Sequence, residues 1–314
     1  MKAVLQYAAS PEFRERLAAL GADGIEIAVV AEPDKAKFAE QMRDADVLLH
    51  VLEPVTEAVI AGAPELKLIQ KIGVGVNTID LEAAKARGIA VCNMPGSNAA
   101  AVAEMTLALM LAVLRRTVVL DARTRAGEGW RLDGAMVDSF GEIGGRTVGL
   151  VGYGAVPRHL APALAALGAR VLYTARAPKD DAAGEWRTLD DLLAQSDIVS
   201  LHVPETDETS GLIDAPAIER MRAGAVLINT ARGGLVDEPA LVAALESGRL
   251  RGAGLDVFAR EPVDPANPLL ALDTVVATPH LAWLTPETLD RSLSIALDNM
   301  DRLASGEALL NRVV

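Results

Sequence analysis

The sequence is poor in several residue types, and each scarcity excludes something. A single cysteine, Cys92, in 314 residues rules out an internal disulfide and any thiolate metal cluster, and it fits a reducing, cytoplasmic compartment. Aromatic residues make up 3%, so extended stacking platforms for bases or sugars are not expected, and Ala, Val and Leu must fill the cores. Positive charge is in deficit: 30 Lys and Arg against 43 Asp and Glu give a net charge of −13. Such a surface repels a phosphate backbone, which argues against nucleic acid as a partner while leaving room for a local basic pocket. The most apolar stretch, Met105 to Leu114, is ten residues long, too short for a bilayer. No basic-then-apolar signal segment opens the chain, so no membrane partner is expected. The four histidines show no metal-ligand spacing, and no metal is expected.

What is present is an ordinary globular balance, 51% hydrophobic and 23% charged, with length for two domains at about 150 residues each. Short β-branched runs alternate with helical segments, which is the α/β signature. A first series predicts strands at 3–6, 25–30, 46–49, 66–72 and 89–91. A long helix follows from Ala99, and then a loop-like stretch through Gly127-Glu-Gly-Trp130 and Ser139 to Gly145. A second series predicts six strands, beginning at 147–151, 170–173, 198–202, 225–229, 252–257 and 275–278, the number a full dinucleotide fold needs. The tail, a helix over Pro286–Ser305, is too short for a third domain and is expected to pack on the first. The expected organisation is therefore two Rossmann-like or flavodoxin-like doubly wound parallel sheets with a cleft between them. Residues 1–97 plus 281–314 form a discontinuous substrate domain, and residues 98–280 a dinucleotide-binding domain.

The strand Val148-Gly-Leu-Val151 runs into Gly152-Tyr-Gly154-Ala-Val-Pro157 and a helix predicted over 159–167. A tight strand-to-helix turn needs a glycine first, and a second glycine lets the backbone approach a pyrophosphate at the helix N-terminus. Gly152, Gly154, Ala155 and Val156 are the loop residues assigned to the cofactor. Pro157 replaces the third glycine of the usual fingerprint. The next strand ends in Thr174, Ala175 and Arg176, with Lys179 close behind, where an NAD-binding chain carries an acid for the ribose 2′-hydroxyl. Thr174 and Arg176 suit a 2′-phosphate, so NADPH is favoured and NADH remains possible. Asp180 and Asp181 are the acids that could instead reach a ribose.

Three islands follow: Asn229-Thr-Ala-Arg232-Gly-Gly, Gly254-Leu-Asp256-Val-Phe-Ala-Arg-Glu261-Pro262, and Thr278-Pro-His280-Leu-Ala-Trp283. Each puts an ionisable residue just past a predicted strand, the edge where open α/β sheets bind ligands. Arg232 offers a fork for a carboxylate, His280 passes a proton near neutrality, and Glu261 orients the imidazole. These three groups are what interconversion of a 2-keto acid and a 2-hydroxy acid requires.

With Gly73-Val-Gly-Val, Asn93-Met-Pro-Gly-Ser-Asn98, Ala103-Glu104 and Leu201-His-Val-Pro204 added, the chain resembles the D-isomer-specific 2-hydroxyacid dehydrogenases over nearly its whole length. The resemblance implies that Arg232, Glu261 and His280 are catalytic and that Asp256 lies near the nicotinamide amide. It implies that the backbone amides of Val74 and Gly75 meet the substrate carboxylate, alongside Arg232 and His280. Val203, Thr230 and Ala231 complete the expected cofactor contacts, and a homodimer is expected. The run Leu172-Tyr-Thr-Ala-Arg176 looks like the NADPH-using glyoxylate/hydroxypyruvate reductase branch. Pro157 and the bulky Leu281-Ala-Trp-Leu-Thr285 depart from the family pattern. Alternatives are a relative acting on another small anion such as phosphite, or a dinucleotide-sensing regulator without turnover. His50, His159 and His202 read as structural or exposed, and Cys92 as core. Lys71 reads as a substrate or salt-bridge residue, and Trp130 and Trp283 as packing or cleft wall.

Overall fold

A computed structural model describes residues 1–20, 24–131 and 134–314. The chain divides into two compact units, residues 1–98 with 285–314, and residues 99–284. These divisions fall slightly later than the expected 97/98 and 280/281. The second has a local cause: the amides of Leu281 (3.0 Å) and Ala282 (2.9 Å) donate to the Asp256 carboxylate and keep the chain on the second unit.

The first unit runs β1 (Lys2–Gln6), α1 (Pro11–Ala19), β2 (Glu26–Val30), α2 (Lys35–Met42), β3 (Val47–His50), α3 (Glu57–Ala61), β4 (Leu68–Lys71), α4 (Leu81–Ala86) and β5 (Ala90–Cys92). Its helices start where Ser10, Asp34, Thr56 and Asp80 each accept the amide three residues on, the local signal for an N-terminus. The parallel order β2-β1-β3-β4-β5 is the flavodoxin-like doubly wound one. Strands β3 and β4 are buried at every position, as a sheet covered on both faces demands.

The second unit runs α5 (Ala99–Arg115), α6 (Thr117–Arg125), α7 (Gly134–Asp138), β6 (Thr147–Val151), α8 (Ala155–Ala166), β7 (Arg170–Thr174), β8 (Glu185–Trp186) and α9 (Leu189–Gln195). It continues through β9 (Ile198–Leu201), α10 (Ala215–Arg220), β10 (Ala225–Asn229), α11 (Glu238–Glu246), β11 (Leu250–Leu255) and β12 (Val275–Ala277). The order β12-β11-β10-β9-β6-β7-β8 is the dinucleotide-fold order with an added strand. Among the described residues this sheet has seven strands rather than the six expected. The extra one, β8, pairs only Glu185 and Trp186 with Leu172 and Tyr173, too short to show an alternating pattern. Val199, Leu201 and Leu227 feed one core and Ile198, Val226 and Ile228 another, the two-residue alternation of strands covered on both faces. The stretch expected as loop before Gly145 contains α7.

The last helix, α12 (Pro286–Ser305), belongs to the first unit. Its buried Asn299 donates to Gln70 Oε1 (2.7 Å) and the Leu310 carbonyl (3.2 Å) and accepts the Leu310 amide (2.7 Å). The following residues pair with β5, the Val313 amide donating to the Val91 carbonyl at 2.7 Å. No helix among the described residues is long and apolar enough to cross a membrane.

Candidate active site

The predicted ligand residues of the second unit cluster at the carboxyl ends of its strands. After β6 the chain turns at Gly152, with φ +100° and with the His202 carbonyl oxygen 2.6 Å from where a Cβ would stand. Only glycine fits there. Gly154 caps α8, and nothing lies within 4 Å of its would-be Cβ. The helix begins at Ala155 rather than at the expected His159, so Pro157 sits in its first turn, where the missing N–H leaves no intrahelical bond unmade. An open backbone at a helix N-terminus fits a dinucleotide pyrophosphate, with Ala155 and Val156 opening the first turn.

At the end of β7, the Thr174 carbonyl accepts the Gly152 amide (3.0 Å), which ties that strand end to the loop. Arg176 is exposed and makes no ion pair among the described residues. Asp181, one of the two acids that could have reached a ribose, is instead ion-paired with Arg158. The Arg158 guanidinium also lies 5.6 Å from the centre of the Tyr153 ring. Val203, after β9, is half-buried against the core.

Asn229, at the end of β10, brackets the next turn: its Oδ1 accepts the Ala231 amide (3.0 Å) and its Nδ2 donates to the Arg232 carbonyl (2.8 Å). Thr230 bonds Thr106 of α5 through their hydroxyls (2.9 Å). Arg232 Nη1 donates to the Ala231 carbonyl at 2.6 Å. Burial lowers the Arg232 pKa from its ordinary value, and the charges of Glu261 and Glu205 work against that shift. A Cβ at Gly233 would overlap the Phe258 carbonyl, so this glycine lets the arginine turn nest under the Glu261 loop.

His280 and Glu261 meet directly, Nδ1 to Oε2 at 2.6 Å, and Glu261 Oε1 accepts the Phe258 amide at 3.0 Å. An ionised carboxylate only accepts, so the Nδ1 proton is donated to Glu261 and Nε2 is left for chemistry. Burial pushes the Glu261 carboxyl up. The bonds from His280 and Phe258 and the charges of His280 and Arg232 outweigh it and leave the group below its ordinary value.

Asp256 is 1% exposed and is occupied by its own unit. Its Oδ1 accepts Thr278 Oγ1 (2.6 Å) and the Leu281 amide (3.0 Å), and its Oδ2 accepts the Ala282 amide (2.9 Å). Its carbonyl accepts the His280 amide at 2.7 Å. His280 itself has φ +56°, a left-handed conformation unusual for a residue with a side chain.

Val74 and Gly75 follow β4 in the first unit. Val74 is 45% exposed, and its carbonyl accepts Asn93 Nδ2 at 2.9 Å. Lys71 is buried and donates to the Val51 carbonyl. Trp283 is buried and Trp130 is 86% exposed. His50 is buried and His159 exposed, while the His202 ring bonds Ser200 Oγ at 2.9 Å. Cys92 is buried, and burial raises its thiol to about 11. No group of acidic, histidine or cysteine side chains among the described residues could hold a metal ion. Sequence reasoning passed over Asn229, Thr278 and Glu205. Of these, Asn229 carried a readable signal, an asparagine at a strand end two residues before the amide it caps.

A family model described as "D-isomer specific 2-hydroxyacid dehydrogenase, NAD binding domain" matches residues 107–282. The chain belongs to the D-isomer specific 2-hydroxyacid dehydrogenase family. Among its relatives is a D-3-phosphoglycerate dehydrogenase of Mycobacterium leprae, 42% identical over 296 residues, covering 93% of this chain and 55% of that protein. The chain thus spans about half the length of that relative. A glyoxylate reductase of Aeropyrum pernix is 39% identical over 293 residues, covering 90% of this chain and 88% of that protein. Of solved structures, the TT0316 protein from Thermus thermophilus is similar at a TM-score of 0.90 and 38% identity, with both chains fully covered. These likenesses extend over both units of the fold.

Proposed function

We propose that the chain transfers a hydride between NADPH, or less readily NADH, and a small 2-keto or 2-hydroxy acid such as glyoxylate or hydroxypyruvate. It acts in the cytoplasm as a homodimer. The observation that carries this reading is the 2.6 Å His280–Glu261 pair standing with Arg232 past the strand ends. The glyoxylate reductase similarity and the exposed Arg176, which makes no ion pair among the described residues, support the choice of substrate and cofactor. The homodimer is supported by α6, which buries no residue, and by Val118, Trp130 and Val137, large apolar side chains left exposed and suited to contact with a second copy.

In this reading Arg232 holds the substrate carboxylate through its fork and draws electron density from the ketone oxygen. When bound, the reduced nicotinamide supplies a hydride to C2. The His280 Nε2 proton passes to the ketone oxygen, and Glu261 holds the imidazolium in place through Nδ1. The reverse reaction uses the neutral imidazole as base. The Gly152–Val156 loop, Thr174, Val203, Thr230, Ala231 and Asp256 line the cofactor.

A second reading, D-3-phosphoglycerate as substrate, is favoured by the 42% identity to the mycobacterial relative. The test follows reduced-cofactor absorbance with glyoxylate, hydroxypyruvate and phosphohydroxypyruvate, each with NADPH and NADH. Turnover of the first two with NADPH is expected, and His280→Gln should lower kcat by about 10²–10⁴. Arg176→Asp should move the NADPH/NADH ratio toward NADH by roughly tenfold or more, since one charge-assisted bond is worth about 1.5–3 kcal/mol. Turnover confined to phosphohydroxypyruvate would select the second reading. No turnover of any acid would sink both.

A further inference from the structure

Three arginines of the second unit gather at the edge of its sheet opposite the candidate active site. Arg116 follows α5, Arg146 immediately precedes β6, and Arg251 is the second residue of β11. The Gly141 amide donates to the Leu114 carbonyl at 2.9 Å, which lays the 139–142 loop on the end of α5. A Cβ at Gly141 would stand 2.8 Å from Arg146 Nη2 and 3.3 and 3.4 Å from Arg251 Nη2 and Nη1. Two guanidiniums therefore converge on one point. Arg116 Nε is buried and has no hydrogen-bond partner. Burial, and then the charges of Arg146 and Arg116, lower the Arg251 pKa from its ordinary value.

Among the described residues no carboxylate answers these charges. None of the three makes an ion pair among the described residues. Arg146 Nε donates to the Glu142 carbonyl (2.6 Å) and Arg251 to the Ser139 carbonyl. Asp273 lines a cavity beside Arg116 but is not paired with it. The C-terminus of α5 offers about half an elementary negative charge, against three full positive ones. In a chain with 43 acidic residues, none of the described ones forms an ion pair with this cluster.

We propose that Arg116, Arg146 and Arg251 form a binding site for a small oxyanion of the phosphate type, either free or carried on a metabolite. Planar guanidinium forks bond such oxygens in pairs, and an anion among them relieves the mutual repulsion. The site is separate from the cofactor loop: the five residues of β6 lie between Arg146 and Gly152, about 17 Å of strand.

The test is calorimetric titration of the full chain with inorganic phosphate at constant ionic strength. It compares the wild type, Arg251→Gln and Gly141→Ala with Arg232→Gln and Arg176→Asp. In Gly141→Ala the added methyl displaces the guanidinium tips without removing a charge, so it keeps the test readable if Arg251→Gln unfolds. A site in the cluster gives at least tenfold weaker phosphate binding in Arg251→Gln and Gly141→Ala, and wild-type binding in the two active-edge variants. Unchanged binding in Gly141→Ala, loss of binding in Arg232→Gln or Arg176→Asp, or no binding by the wild type overturns the proposal. So does a changed sedimentation coefficient in Arg251→Gln with phosphate affinity intact, which would assign the cluster to contact with a second copy. Repeating the titration with a phosphorylated three-carbon acid distinguishes a free anion from one borne on a metabolite by which binds tighter.

Discussion

Asp256 and His280 illustrate how single residues set this site. A side chain at φ +56° costs about 1–2 kcal/mol relative to relaxed backbone, and the Asp256 carbonyl and carboxylate hold the loop that imposes it. Asp256→Asn exchanges one acceptor oxygen for a donor facing a buried amide or hydroxyl. It should destabilise the second unit by about 1–3 kcal/mol and lower kcat at least tenfold. Steady-state kinetics with a parallel thermal melt checks it: a loop-holding role lowers kcat and Tm, whereas a nicotinamide contact alone raises the cofactor KM. Arg232, Glu261 and His280 were legible because each stands in a short motif just past a strand. The grip of Asp256 on Leu281 and Ala282 was not, since backbone amides leave no mark in a sequence.

The longest helix was the most legible element, and the shortest strand the least. The 20-residue α12 was placed at its observed bounds, whereas the two-residue β8 and the early start of α8 were not. In α8 the proline obscured the boundary: Pro157 reads as a break, yet a first-turn proline keeps the helix intact. The return of α12 to the first sheet depends on Asn299, whose amide meets Gln70 and Leu310 at once. Asn299→Ala leaves those buried groups unpaired and should cost the first unit about 2–3 kcal/mol. Denaturant unfolding followed separately in the two units checks this, the midpoint of the second unit being expected to stay in place.

At the scale of the whole molecule, each unit carries a histidine kept neutral. Burial, and then the Lys71 charge, lowers His50 from 6.5 to about 3, against a bond to the Glu53 carbonyl, and burial alone lowers His202 to about 3. Unfolded, both rings take a proton below 6.5, so between there and about 3 the unfolded chain binds more protons and stability falls as pH falls. Each ring contributes up to about 1.4 kcal/mol per pH unit. Unfolding midpoints measured between about pH 6.5 and 5, above the carboxylate range, should drop steeply in the wild type and less in His50→Gln or His202→Gln.

The placement of residues 285–314 on the first unit also orders events on the ribosome. The second unit is contiguous and has all its strands once residue 284 has been made, whereas the first waits for α12 and the residues that zip onto Val91. At about 5–20 residues per second, the amino-terminal sheet spends many seconds with its β5 edge bare. The younger stretch of chain is the first to be made whole, and the older one is finished by a segment translated nearly two hundred residues later.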